Sequence, residues 1–146
     1  MKPILVSACL LGTNCKYSGG NNLGPTVVHL AEQHSLIPVC PEQLGGMSTP
    51  RIPSEIVSER VINQIGEDVT NAFQKGAEET LRIAKLLDCS AAVLKSRSPS
   101  CGYGEIYDGS FTGTRITGNG VTAELLFQNG FVIYNEENCN ALRKTE

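Results

Sequence analysis

The stretch DVTNAFQKGAEETLRIAKLLDCSAAVL, residues 68–94, decides the fold class. Val69, Phe73, Ala77, Leu81, Ala84 and Leu87 recur at three- and four-residue steps, while Lys75, Glu78, Glu79, Arg82 and Lys85 fall outside that stripe. This is the spacing of an amphipathic helix, predicted from about Thr70 to Leu87. Asp68 or Thr70 can cap its first N–H groups, and Glu78 precedes Arg82 in the favourable i,i+4 order. At 1.5 Å per residue such a helix is about 27 Å long, enough to lie across a sheet. The run Ala91 to Leu94 follows at once, short and wholly apolar, the pattern of a strand buried on both faces.

The same alternation extends outward. Ile4-Leu5-Val6 predicts a first strand, Thr26 to Gln33 a short helix, and Leu36 to Val39 a second strand. Val57 to Ile65 reads as irregular or a short extended excursion ended by Gly66. Beyond the central stretch, a Gly-rich segment from Gly102 to Gly120 leads to a helix over Val121 to Gln128. A strand over Phe131 to Tyr134 and a terminal helix within Glu136 to Arg143 complete the pattern. Strands alternating with helices predict an α/β, three-layer, Rossmann-like fold, with a mostly parallel sheet and helices on both faces. No repeat or linker divides the chain, so one domain over residues 1–146 is expected.

Composition narrows the function classes. The net charge of −3 over 146 residues, the pI near 5.4 and the lack of a Lys/Arg cluster argue against a duplex-DNA or anionic-membrane binder. No apolar run approaches the ~20 residues of a membrane span. The N-terminus lacks the pattern of a signal peptide, so a cytoplasmic protein is expected. Six cysteines are too few for a disulfide scaffold, which starts nearer 8–10% cysteine. In a reducing compartment, grouped cysteines point to metal binding or catalysis.

Three of the six sit in equivalent places. Cys9 follows the first strand, Cys40 the second, and Cys101 lies in the loop after the third. Parallel strands point one way and are spaced about 4.8 Å apart, so the three loops open on one sheet edge, where α/β folds bind ligands. Cys9, Cys40 and Cys101 are therefore the candidate ligands of one metal centre. Cys89 and Cys139 are accounted for by packing, and Cys15 stands near enough to line the same pocket. Three cysteines without C-x-x-C spacing match neither a zinc ribbon nor a ferredoxin. A centre with three protein ligands keeps an open position, the mark of catalytic sites. Zinc and iron–sulfur are not separated by spacing alone.

Other signatures are incomplete. Gly19 to Thr26 imitates a P-loop, but Pro25 stands where the phosphate-reaching lysine belongs. The H-x-E and P-C-x-x-C elements of zinc deaminases do not occur, nor does a G-x-S-x-G elbow. His29 and His34 lie on or beside the short helix, away from the cysteine loops.

Ser7-Ala8-Cys9-Leu10-Leu11-Gly12, Cys15 with Tyr17-Ser18-Gly19-Gly20, Cys40-Pro41-Glu42, Thr49-Pro50-Arg51, Asp68-Val69-Thr70 and Lys95 with Ser98-Pro99-Ser100-Cys101-Gly102 together resemble one family over nearly the whole chain. It is domain of unknown function family 523, whose characterised members are thiouracil desulfidases. The resemblance implies a [4Fe–4S] cluster held by Cys9, Cys40 and Cys101, with one iron open to the substrate's sulfur. It also implies a non-redox reaction in which water replaces the sulfur of a small thiolated nucleobase or nucleoside. Glu42, two residues beyond a proposed ligand, is placed to act as general base. Ser98 and Ser100 flank the third ligand and can hydrogen-bond the substrate or the departing sulfur. Lys95 and Arg97 can offset the charge of a thiolate-bound cluster or be surface residues, the reading favoured for Arg97. The alternative is a non-enzymatic iron–sulfur or zinc-binding sensor or sulfur carrier, which would use the same thiols and need no base.

Overall fold

The computed structural model describes residues 2–143. Four strands form a fully parallel sheet: β1 (Ile4–Ser7), β2 (Leu36–Val39), β5 (Ala91–Val93) and β8 (Val132–Tyr134), in the order β2-β1-β5-β8. Ile4 pairs with Leu36 on one side and Ala91 on the other, so the central strand β1 is buried on both edges and both faces. Between them come the hairpin β3 (Ser54–Val57) with β4 (Arg60–Asn63) and the hairpin β6 (Glu105–Tyr107) with β7 (Arg115–Thr117). The helices are α1 (Pro25–His29), α2 (Pro41–Leu44), α3 (Thr70–Leu86) and α4 (Val121–Gln128).

The two faces of the sheet carry separate apolar clusters, as the period-2 alternation of a strand requires. Ile4, Val6 and Val93 pack with Val27 and Leu30 of the α1 segment and with Cys139. Leu5, Ala92, Leu94 and Ile133 pack with Ala84 of α3 and Ala123 and Leu126 of α4. Helical segments therefore cover both faces, and the architecture is α/β.

The helix α3 ends one residue earlier than its periodicity predicts, with Leu87 as its C-cap. The N-cap position itself is Val69, without a side-chain bond, and Asp68 just before it accepts the Thr70 N–H through Oδ1 at 2.9 Å. The Thr70 hydroxyl instead accepts the Val61 N–H at 2.8 Å and ties the helix to β4. Arg82 pairs with Glu79 at 3.2 Å, a neighbour one residue nearer than Glu78 and equally placed on the helix surface. Gly76 sits in the buried stripe of α3 because α2 crosses there; a Cβ at Gly76 would lie 1.9 Å from the Pro41 carbonyl oxygen.

Four expectations are corrected. The helix expected over Thr26 to Gln33 is α1 followed by a 3-10 turn, Leu30–Glu32. The expected terminal helix is a single 3-10 turn, Cys139–Leu142. Val57 to Ile65 belongs to a hairpin whose two-residue turn puts Ser58 at φ +56°, a conformation that glycine or asparagine usually signals. The Gly-rich segment holds a second hairpin, with strands of three residues each, too short to leave a pattern.

Candidate functional site

In sequence order the four parallel strands run 2-1-3-4 across the sheet, so the direction of winding reverses between β1 and β5. The crevice beyond the carboxyl ends of the strands at such a reversal is where open α/β sheets bind ligands. A cavity of about 490 Å³ lies there.

Cys9, Cys40 and Cys101 all line this cavity, each delivered differently. Cys9 lies in the 3-10 turn Ala8–Leu11 that continues β1. Cys40 is the N-cap of α2, immediately after β2. Cys101 lies in the loop beyond β5, where Ser98 Oγ accepts the N–H groups of Ser100 (3.1 Å) and Cys101 (2.9 Å) and folds the turn. Cys15 lines the cavity as well, its carbonyl oxygen 3.7 Å from Cys40 Sγ. Cys89 is packed in the core on the α3 and α4 side, and Cys139 in the core on the α1 side.

The sulfurs are surrounded by donors. Ser7 Oγ donates to Cys101 Sγ at 3.3 Å while accepting the Lys95 N–H at 2.9 Å. Asn22 Nδ2 donates to Cys9 Sγ at 3.4 Å. Burial pushes the Cys101 thiol up to about 12, against the opposing hydrogen bonds from Ser7 and Ser100. Burial, and then the neighbouring Cys40, push Cys15 up to about 12. Cys9 is also raised, by burial first, with Asn22 pulling the other way. Unliganded, these groups are neutral thiols that give up a proton when a soft cation takes its place.

Glu42 is not the solvated loop carboxylate that its sequence neighbours allow. Arg51 Nε donates to its Oε1 at 2.8 Å and Ser100 Oγ to its Oε2 at 2.9 Å. Arg51 also reaches the Cys15 carbonyl oxygen at 2.8 Å and Thr49 Oγ1 at 2.9 Å. Ser98 and Ser100 face each other at 3.0 Å between their hydroxyl oxygens. A continuous array thus runs Ser98, Ser100, Glu42, Arg51 along the cavity wall.

A second polar cluster includes the lining residues Lys95 and Ser96. Lys95 Nζ pairs with Glu136 Oε2 at 2.8 Å, and Glu136 accepts the N–H and hydroxyl of Ser96. Burial works to raise Glu136, but Lys95 and Ser96 together hold it below the ordinary carboxylate range. Lys95 acts on Cys9 in turn, easing its ionisation. Arg97 is turned to Glu105 and Glu137 at 3.1 and 3.3 Å. His34 bonds the Leu142 carbonyl at 2.9 Å and is a packing histidine, remote from the cavity lining.

Arg51, Ser7 and Asn22 lay outside the sequence reading of roles, although each stands in or beside a quoted motif. The outer wall, formed by Ser54, Glu55 and Gln64 with Tyr107, Phe111 and Gly113 from the second hairpin, carried no signal because both hairpins were hidden.

The donor set fits an iron–sulfur group. Three soft thiols from separate loops line one cavity, and hydroxyl and amide donors meet two of the sulfurs, contacts of the kind that tune such clusters. No three His, Cys, Asp or Glu side chains among the described residues are gathered for a single metal ion.

Comparison with known proteins agrees with this geometry. The chain is 43% identical over 147 residues to the uncharacterized protein YbbK of Bacillus subtilis (strain 168), covering 94% of this chain and 97% of YbbK. Its fold matches that of the [4Fe–4S]-dependent thiouracil desulfidase TudS with a TM-score of 0.91 and 38% identity, over 97% of this chain and 95% of that one. The model of the 2-thiouracil desulfurase family matches residues 4–138. On these grounds, and with its cysteine loops at the strand ends, the chain belongs to the 2-thiouracil desulfurase family.

Proposed function

We propose that this chain is a [4Fe–4S]-dependent desulfidase that replaces the sulfur of a thiolated pyrimidine with oxygen. The observation that carries the reading is the convergence of Cys9, Cys40 and Cys101 on one cavity at the winding reversal, in a chain with this family membership. These three residues would hold the cluster. The cavity's volume of about 490 Å³ is within the ~300–1,000 Å³ range of small-molecule sites and suits a free base or nucleoside.

The reaction balances without electron transfer: a C=S group and water give a C=O group and hydrogen sulfide. When bound, the cluster supplies a soft Lewis acid for the thiocarbonyl sulfur. Glu42 Oε2, on the cavity wall, takes the proton of the attacking water. Arg51 fixes the carboxylate from behind through Oε1, leaving the edge shared with Ser100 toward the substrate. Ser98 holds the Cys101 turn and orients the Ser100 hydroxyl. The Lys95–Glu136 pair sets the charge beside Cys9.

A non-enzymatic sulfur carrier would use the same thiols but has no use for the Arg51–Glu42–Ser100 array. Among the described residues no helix is long and apolar enough to cross a membrane.

The test is oxygen-free reconstitution with iron and sulfide, then turnover of 2- and 4-thiouracil followed by sulfide release. About four irons per chain are expected, with release of sulfide and formation of uracil. Full iron occupancy without sulfide release from either base would overturn the reading.

A further inference from the structure

The loop joining β6 to β7 presents a backbone feature that folding alone does not require. Phe111 has φ +59°, in the left-handed region that a bulky side chain rarely adopts. Phe111 belongs to neither apolar cluster of the core and lines the cavity. Residues held in such conformations persist only where their surroundings over-determine them, and they gather at ligand clamps.

The surroundings here are specific. Glu55, itself on the cavity wall, accepts two N–H groups of the loop through one oxygen, Gly109 at 3.0 Å and Phe111 at 3.1 Å. Gly109 comes so close to β3 that a Cβ on it would lie 2.8 Å from the Ile56 carbonyl oxygen. At the base of the loop, the Asp108 N–H donates to the Thr114 carbonyl at 2.9 Å. One hairpin thus grips the tip of the other, and the product of that grip is an aromatic residue on a cavity wall that also carries Tyr17 and Tyr107 but no second phenylalanine.

We propose that Phe111, held in its left-handed conformation by Glu55, is the stacking platform for the pyrimidine ring of the substrate. The proposal rests on the desulfidase reading for the identity of the ligand, and it adds the residue that selects a flat aromatic ring. Phenylalanine has no polar atom to give to chemistry, so its contribution is to binding. Every base offers a π-face, so the platform tolerates changes at the ring edge. It acts on substrate and transition state alike, and therefore moves KM more than kcat.

Two kinds of variant separate this from a structural role. Phe111→Gly removes the ring and relieves the backbone, whereas Phe111→Ala removes the ring and keeps the unfavourable φ. In the reconstituted enzyme both are expected to raise KM for 2-thiouracil about five- to hundredfold, the range for losing one base stack. Phe111→Gly should melt no lower than wild type, and Phe111→Tyr should restore KM. The chain has no tryptophan, so Phe111→Trp provides a single reporter, whose emission should change saturably with uracil as a non-reacting probe. An unchanged KM in Phe111→Gly with normal sulfide release overturns the platform and leaves the reaction standing. A saturable response to uracil in a protein that releases no sulfide from either thiouracil supports the platform and overturns the reaction.

Discussion

Arg51 Nε meets Glu42 Oε1 at 2.8 Å, with 6% of the arginine side chain and 16% of the glutamate side chain exposed. The two residues sit on opposite sides of the Gln43–Pro50 segment, and Arg51 closes that segment by also bonding the Ser48 and Cys15 carbonyl oxygens. Removing the arginine leaves a mostly buried carboxylate without its charge partner, which costs more than the pair contributes. Arg51→Ala is expected to lower stability by about 2 kcal/mol or more and to reduce sulfide release at least tenfold. Arg51→Lys should recover only part of either, because an ammonium cannot reproduce the planar fork. Urea unfolding and a sulfide assay measure both, and a lysine variant equal to wild type would remove the positioning role.

Glu42→Gln keeps the shape and a carbonyl acceptor for Ser100 but cannot take a proton. Turnover should fall by about two to four orders of magnitude while iron content stays at the wild-type level. Retained turnover would mean that water is deprotonated elsewhere.

The six thiols divide into groups by position. Cys9→Ala, Cys40→Ala and Cys101→Ala are each expected to abolish stable iron uptake, counted after anaerobic reconstitution. Cys89→Ala and Cys139→Ala, whose sulfurs lie in the two apolar clusters, should retain it. Cys15→Ala, which keeps the backbone carbonyl that accepts from Cys40 Sγ, should also retain iron; its loss would make Cys15 a ligand in place of one of the trio.

Gly76→Ala tests how the core supports the site. The added methyl would meet the Pro41 carbonyl oxygen at 1.9 Å, so α2 must move away from α3 and carry Cys40 and Glu42 with it. The substitution raises helix propensity, yet the expected result is a lower melting temperature and weaker iron uptake. A stabilised variant would show that the α2–α3 contact is looser than described.

Asp68 gives a pH signature. The Thr70 side chain first, then Arg60 and the Thr70 N–H, hold its carboxyl at about 2 against an ordinary 3.8. A lowered folded-state value means that the stabilisation is complete above pH about 4 and is lost as the pH falls toward 2. Asp68→Asn should therefore melt below wild type at pH 6, with the difference shrinking steadily between pH 4 and pH 2. A gap independent of pH would assign the effect to helix capping without charge.

The parallel strands and the helices α3 and α4 were legible along the chain because their signals are local. A buried strand is a short apolar run, and an amphipathic helix repeats every 3.6 residues whatever it packs against. The hairpins escaped for local reasons too. Ser58 turns β3 into β4 without the glycine or asparagine that usually marks such a turn, and β6 and β7 are three residues each. Glu42 was singled out by its nearness to Cys40, but nothing in the segment Thr49-Pro50-Arg51 announces that its arginine folds back onto that carboxylate.

The sequence by itself determined a parallel α/β sheet and the placement of Cys9, Cys40 and Cys101 after three of its strands, since strand direction carries every following loop to one edge. Only the tertiary structure decided which groups meet on the cavity lining: Arg51 with Glu42, Ser7 with Cys101, and the Phe111 N–H with Glu55. Periodicity is written in the backbone geometry of consecutive residues. Contacts between remote side chains depend on how whole elements pack, which no local pattern encodes.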